Sequence, residues 1–188
     1  MKPTIHSQNA FAMSELMVVI VIIAILAAIA IPSVGSLVSN TRLSTTSSSF
    51  IGAMAFARAE AGRRGVRVTI CPGSIDATSK QVVTANNACN TTAGATLWNE
   101  AYLVFAETKA GGTLGQYETG DTLLRAESIP TGITLTPSFT DIFISVLPSG
   151  SIGVGGTVQL CYQGLNARQL TIKRTGTATS QVTATICP

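Results

Sequence analysis

Two groups of residues in this sequence can do chemistry: one carboxylate at the mouth of a long apolar run, and four cysteines beyond it. Glu15 stands just before Leu16–Ile31, in which every residue is apolar. A charge at the edge of such a run is costly unless it is neutralised. Cleavage between Ala10 and Phe11 would free an α-ammonium at Phe11 and make Glu15 the fifth residue of the mature chain. The carboxylate of one copy would then neutralise the ammonium of the next in a bundle of such helices. The chemistry expected at Glu15 is pairing between subunits.

Cys71, Cys89, Cys161 and Cys187 all lie beyond the apolar run, and no two have C-x-x-C spacing. The only histidine, His6, precedes the expected cut. A metal site is not expected from this set, whereas two disulfides in an exported domain are. Sequence alone permits three connectivities. The sequential pairing, Cys71–Cys89 and Cys161–Cys187, is expected because each loop is short and local. Each closure should contribute roughly 3 kcal/mol.

Without a histidine after residue 10, Ser-His-Asp and Cys-His relays are excluded from the mature chain. There is no phosphate loop of the G-x-x-x-x-G-K-[ST] form. Gly150, Gly153, Gly155 and Gly156 are followed by no helix signal, which argues against a dinucleotide site. The remaining carboxylates are few and scattered. No enzyme activity and no cofactor are expected.

The elements that position these residues follow from hydrophobic periodicity. Met1–Ala10 is a short polar leader with one basic residue. Residues 11–31 form a greasy helix, just long enough to cross a bilayer at the ~20 residues needed. Pro32 removes one backbone hydrogen bond, so a kink or local loosening is expected there. Beyond it, Val34, Leu37, Val38, Phe50, Met54, Ala57 and Ala61 keep helical spacing. One long helix is therefore expected from Phe11 to about Ala61, stopped by Gly62 and Gly65. Phe50, Ala53, Met54, Ala57 and Ala61 should form the stripe that packs on a sheet, and Glu60 should pair with Arg64.

After the helix the period changes. Strands are expected at 66–70, 97–105, 122–126, 133–136, 142–146, 158–162, 169–173 and 181–186, separated by loops and turns rich in Gly, Pro, Ser, Thr and Asn. Of the 188 residues, only 11% are charged, mean hydropathy is +0.40 and the net charge is +3. About 155 residues remain after the anchor, enough for one globular domain. The organisation expected is a leader over 1–10, a helix over 11–62 that spans a membrane over 11–31, and a β-rich domain over 63–188. The fold class is α+β, with a long N-terminal helix packed on a C-terminal antiparallel β domain.

These residues carry a resemblance. A short leader, a small residue, Phe11, Glu15 and a long apolar helix with Pro32 resemble the class III signal of type IV pilins and pseudopilins. The sequence departs from that pattern at Ala10, where the family has Gly, and in Phe11-Ala12-Met13-Ser14-Glu15-Leu16, where it usually has F-T-L-x-E-L. The stretch from Ala57 to Pro72, ARAEAGRRGVRVTICP, is similar to one branch of that family, the GspH/FimT/FimU group. So are Trp98 with Leu103-Val104-Phe105, the Asp121–Arg125 segment and the closing Arg168–Arg174. The resemblance implies a pilin-like fold, prepilin cleavage after Ala10 and N-methylation of Phe11. It implies assembly through Glu15 with other minor pilins and the major pilin, or with pseudopilins, after processing by a prepilin peptidase. It places the chain in the bacterial inner membrane with a periplasmic domain, then in a pilus or pseudopilus.

Three functions follow as expectations. The first is a minor type IV pilin that starts or caps a filament. The second is the equivalent minor pseudopilin of type II secretion. The third is a DNA-uptake receptor, since some members of the group bind DNA through an arginine-bearing G-R-x-R stretch. The corresponding residues here, Gly176-Thr177-Ala178-Thr179, hold no arginine. Arg168, Lys173 and Arg174 are the residues left to touch phosphates, and DNA is the least favoured partner.

Overall fold

The computed structural model describes residues 13–85, 88–89, 98–139 and 142–188, and for 29–34 the backbone alone. The chain divides into two compact units, Met1–Ser39 and Asn40–Pro188, each described by itself. The helix α1 (Met13–Arg64) contributes to both.

In the first unit α1 opens with Glu15 in its first turn and continues through Pro32. Its side chains from Met13 to Ala28 are all exposed, and from Leu16 onward they are all apolar. Among the described residues no helix is long and apolar enough to cross a membrane. The described side chains stop at Ala28, so the expected span over 11–31 lies partly outside them.

In the second unit α1 turns amphipathic. Phe50, Ala53, Met54, Ala57 and Ala61 are buried, as the spacing predicts, and Leu43 extends the same stripe one heptad earlier. Gly62 stays within the helix. Gly65 ends it instead, with φ 66° and its N–H on the carbonyl of Ala61. Arg63 and Arg64 both bond Glu60, at 2.7 and 2.6 Å, and these hydrogen bonds hold the Glu60 carboxyl down at about 2.

Eight strands follow in chain order: β1 (Val68–Gly73), β2 (Ala101–Ala106), β3 (Thr122–Ser128), β4 (Ile133–Pro137), β5 (Ile144–Val146), β6 (Gly156–Tyr162), β7 (Asn166–Ile172) and β8 (Ala178–Ile186). They form two antiparallel four-stranded sheets, ordered β3-β2-β1-β5 and β4-β6-β7-β8. The main core is the α1 stripe packed with Ile70, Tyr102 and Val104 of the first sheet and Leu160 and Leu170 of the second. Phe50 sits at its centre, edge-on to Trp98 at 5.8 Å and to Tyr102 at 5.5 Å. A second cluster, including Cys71, Cys89, Leu103 and Phe105, covers the other face of β1 and β2. Both faces of these strands are buried, which is why β2 reads as a continuous apolar run.

All eight strands are found, but none keeps its expected limits: β1 lies two to three residues later than 66–70, β6 begins two residues before 158, and β3 and β4 run one or two residues past 126 and 136. The other four depart for local reasons. Trp98 makes only an isolated bridge to Leu135, so β2 begins at Ala101. β5 is cut to three residues, the length of its ladder with Val68–Ile70 of β1. β7 and β8 start earlier than expected, at Asn166 and Ala178, because they pair with each other across a tight turn. In that turn Gly176, at φ 77°, donates its N–H to the carbonyl of Lys173, while Lys173 N–H bonds Thr177. Disulfides join Cys71 to Cys89 and Cys161 to Cys187, with Cα atoms 5.6 and 5.4 Å apart.

Candidate assembly interface

Ala10 and Phe11 lie outside the described residues. Glu15 is described and exposed, with a band of exposed aliphatic side chains following it. Leu16, Met17, Val18, Val19, Ile20 and Val21 are each about half exposed or more, on every side of the helix. A helix that is apolar all round belongs inside other material: a bilayer, or a bundle of its own kind.

The second unit holds α1 to its sheets by a polar network as well as by the core. Ser49 of α1 donates to Glu127 Oε2 at 2.6 Å, the Tyr102 hydroxyl bonds the same oxygen, and Arg125 holds Oε1. Burial raises the Glu127 carboxyl, but the three donors outweigh it and the net direction is downward. The Tyr102 phenol is pushed up, first by burial and then by this carboxylate. These residues lie 53 and 78 positions apart from Ser49, and nothing in their spacing announces the contact.

The sign of the pH effect follows. A carboxyl depressed in the folded state contributes stability above its unfolded value, near 4.3, and loses it as pH falls through the folded value. Glu127→Gln should lower stability at pH 7 by about 1–3 kcal/mol, from weakened charged hydrogen bonds. It should also flatten the share of acid destabilisation that Glu127 causes. Thermal melts of both proteins between pH 7 and pH 2 measure this.

Arg168, Lys173 and Arg174 are not brought into one patch. Arg168 shares the parity of buried Leu170 and Ile172, and with Asn40 and Val182 it lines a shallow recess of about 260 Å³. Lys173 and Arg174 sit at the β7–β8 turn, roughly 17 Å along the strand at 3.3–3.4 Å per residue. Arg58, which sequence reasoning missed, packs under that turn against Gly150 and Gly176. It borders a cavity of about 450 Å³ between α1 and the turn, with Ile51 and Met54 in its wall. Arg67 reaches Glu107 at 3.9 Å. Among the described residues no group of three His, Cys, Asp or Glu side chains could hold a metal.

A family profile described as "Type II transport protein GspH" matches residues 46–176, more than half of the chain, from mid-α1 to the β7–β8 turn. The chain belongs to the GspH family. A second profile, the prokaryotic N-terminal methylation motif, matches residues 5–31 and so spans Ala10, Phe11 and Glu15. Similar solved structures are two crystal forms of the type IV minor pilin FimU from Pseudomonas aeruginosa. They are 13% and 12% identical, cover 76% and 79% of this chain and 98% and 97% of theirs, with TM-scores of 0.50 and 0.52. The minor pseudopilin EpsH of the Vibrio cholerae type 2 secretion system is 13% identical. That match covers 75% of this chain and 97% of EpsH, at a TM-score of 0.48. At these identities the FimU likeness is one of fold. No curated protein sequence matches the chain. This GspH-family chain is thus a minor pilin or pseudopilin by family, and its family is one of structural subunits that assemble with others of their kind.

Proposed function

We propose that this protein is a minor type IV pilin that starts or caps filament assembly. Residues 1–10 are its leader, removed by a prepilin peptidase, and Phe11 becomes the methylated N-terminus. Residues 11–62 form the assembly helix, held in the bacterial inner membrane over 11–31, and 63–188 form the periplasmic domain. Glu15 pairs with the Phe11 ammonium of a neighbouring minor or major pilin. The observation that supports this reading is the exposed, all-round apolar start of α1 with a single acid in its first turn.

Intact-mass measurement of the protein purified from membranes tests it. The expected mass begins at Phe11 and carries one methyl group. A chain that retains Met1–Ala10 overturns the assignment.

The family's name, that of a type II transport protein, favours a second reading, a minor pseudopilin of a type II secretion system. A deletion strain separates the two: loss of surface pili with normal secretion supports the first, and the reverse supports the second. A DNA-uptake role draws less support, because Arg168 lies at the other end of β7 from the turn that holds Lys173 and Arg174.

A further inference from the structure

The two sheets have four edges, and three of them are blunted. β3 carries Arg125 and Glu127. β4 ends in Pro137, and Trp98 bridges its outer side at Leu135. β5 has three residues, and Ile152 bridges its outer side at Val146. Charge, proline, shortness and cover are the devices that stop an edge from recruiting another strand.

β8 has almost none of them. Its nine residues, Ala-Thr-Ser-Gln-Val-Thr-Ala-Thr-Ile, include no charge and no proline, and among the described residues it pairs on one side only, with β7. Its ladder is regular from Ala178 to Val182, before the irregularity opposite Asn166–Arg168. Lys173 N–H bonds the Thr177 carbonyl, and antiparallel hydrogen-bonded pairs alternate. Thr179 and Gln181 therefore spend their backbone groups on β7, while Ala178, Ser180 and Val182 point theirs outward. Such a row is complementary to one thing, an extended backbone.

The surroundings set the charge of that backbone. Lys173 and Arg174 stand at the start of β8, Arg168 lies across from Val182, and Arg58 packs under the turn. No acidic residue follows Asp141 in the sequence. Among the described residues none of these four bases is in an ion pair. We propose that the outer edge of β8 receives an extended strand with acidic ends from a neighbouring subunit, as a fifth strand of the β4-β6-β7-β8 sheet. That the strand comes from a subunit rests on the assembly reading above.

The test uses the full chain in detergent micelles and a fluorescent probe peptide, acetyl-Glu-Thr-Val-Thr-Ser-Thr-Val-Thr-Glu-amide. Saturable binding is expected, with slowed hydrogen exchange at the amides of Ala178, Ser180 and Val182. Replacing both terminal Glu by Lys should weaken binding about tenfold. N-methylating alternate residues of the probe, which removes its donors and leaves the protein untouched, should weaken it about a hundredfold. Val182→Pro, at an outward amide, should abolish binding while the protein's Tm changes little. The proposal is overturned by no binding, by equal binding of the N-methylated probe, by binding without protection on β8, or by a single-stranded oligonucleotide binding there where the acidic probe does not. Peptide pairing is measured without a filament, so its failure leaves the Phe11 assignment standing, and the converse holds.

Discussion

Glu15→Ala is expected to leave the protein inserted and cut but to lower its incorporation into filaments at least tenfold. Glu15 occupies the first turn of α1, ahead of an exposed band of Leu16, Met17, Val18, Val19 and Ile20. When such bands pack together, water leaves and a lone charge must find a partner. Removing one member of a desolvated pair strands the other, at a cost of about 3–5 kcal/mol. On the pairing proposed above, the stranded group is the Phe11 ammonium of a neighbour. Membrane insertion depends on the apolar run, which the substitution leaves intact. Fractionation followed by quantification of sheared filaments measures both halves. Normal incorporation would refute the pairing, and loss from the membrane fraction would mean that Glu15 acts earlier than assembly.

Phe50→Ala should destabilise the second unit by about 4 kcal/mol, the range for deleting a large buried aromatic ring. Phe50 is fully buried and meets both Trp98 and Tyr102 edge-on. Trp98 precedes β2 and bridges to Leu135 of β4, in the other sheet. The cavity left by the ring would thus loosen α1 from both sheets at once. For a domain of this size the Tm should fall by about 8–16 °C. Phe50→Leu, which keeps much of the volume, should cost less than half of that. Thermal melts under non-reducing conditions measure both variants, and equal Tm values for Phe50→Ala and the unaltered protein would remove Phe50 from the centre of the core.

The parts legible in the sequence are those encoded by local period. Phe50, Ala53, Met54, Ala57 and Ala61 declare a buried helical face by spacing alone, and all five are buried. The strands declare themselves by alternation in β4, by an unbroken apolar run in β2 and by turn residues, such as Pro148-Ser149-Gly150 between β5 and β6. Glu60 and Arg64 are one turn apart, and their contact follows. What local period does not carry is contact at long range. The Ser49–Tyr102–Glu127 network joins three segments whose separations hold no pattern. Leu43 is hard to see in the sequence because Ser and Thr dominate its neighbourhood, although it stands seven residues before Phe50, on the same face. In the sequence Arg58 is one letter of the Ala57–Pro72 stretch, with no local sign of its contact. Its place under Gly150 and Gly176 depends on two separate turns far along the chain, before β6 and between β7 and β8.

The bond between Cys161 and Cys187 also has a mechanical meaning. β8 is the last strand and hangs on its sheet by one ladder, so it is the element that would peel first under tension. Cys187 lies one residue past Ile186 and is tied to β6, two strands inward. A pull on that end loads a covalent strut before it reaches the ladder. The seam stays shut without stiffening the outer border of β8, which remains at liberty to zip onto something else.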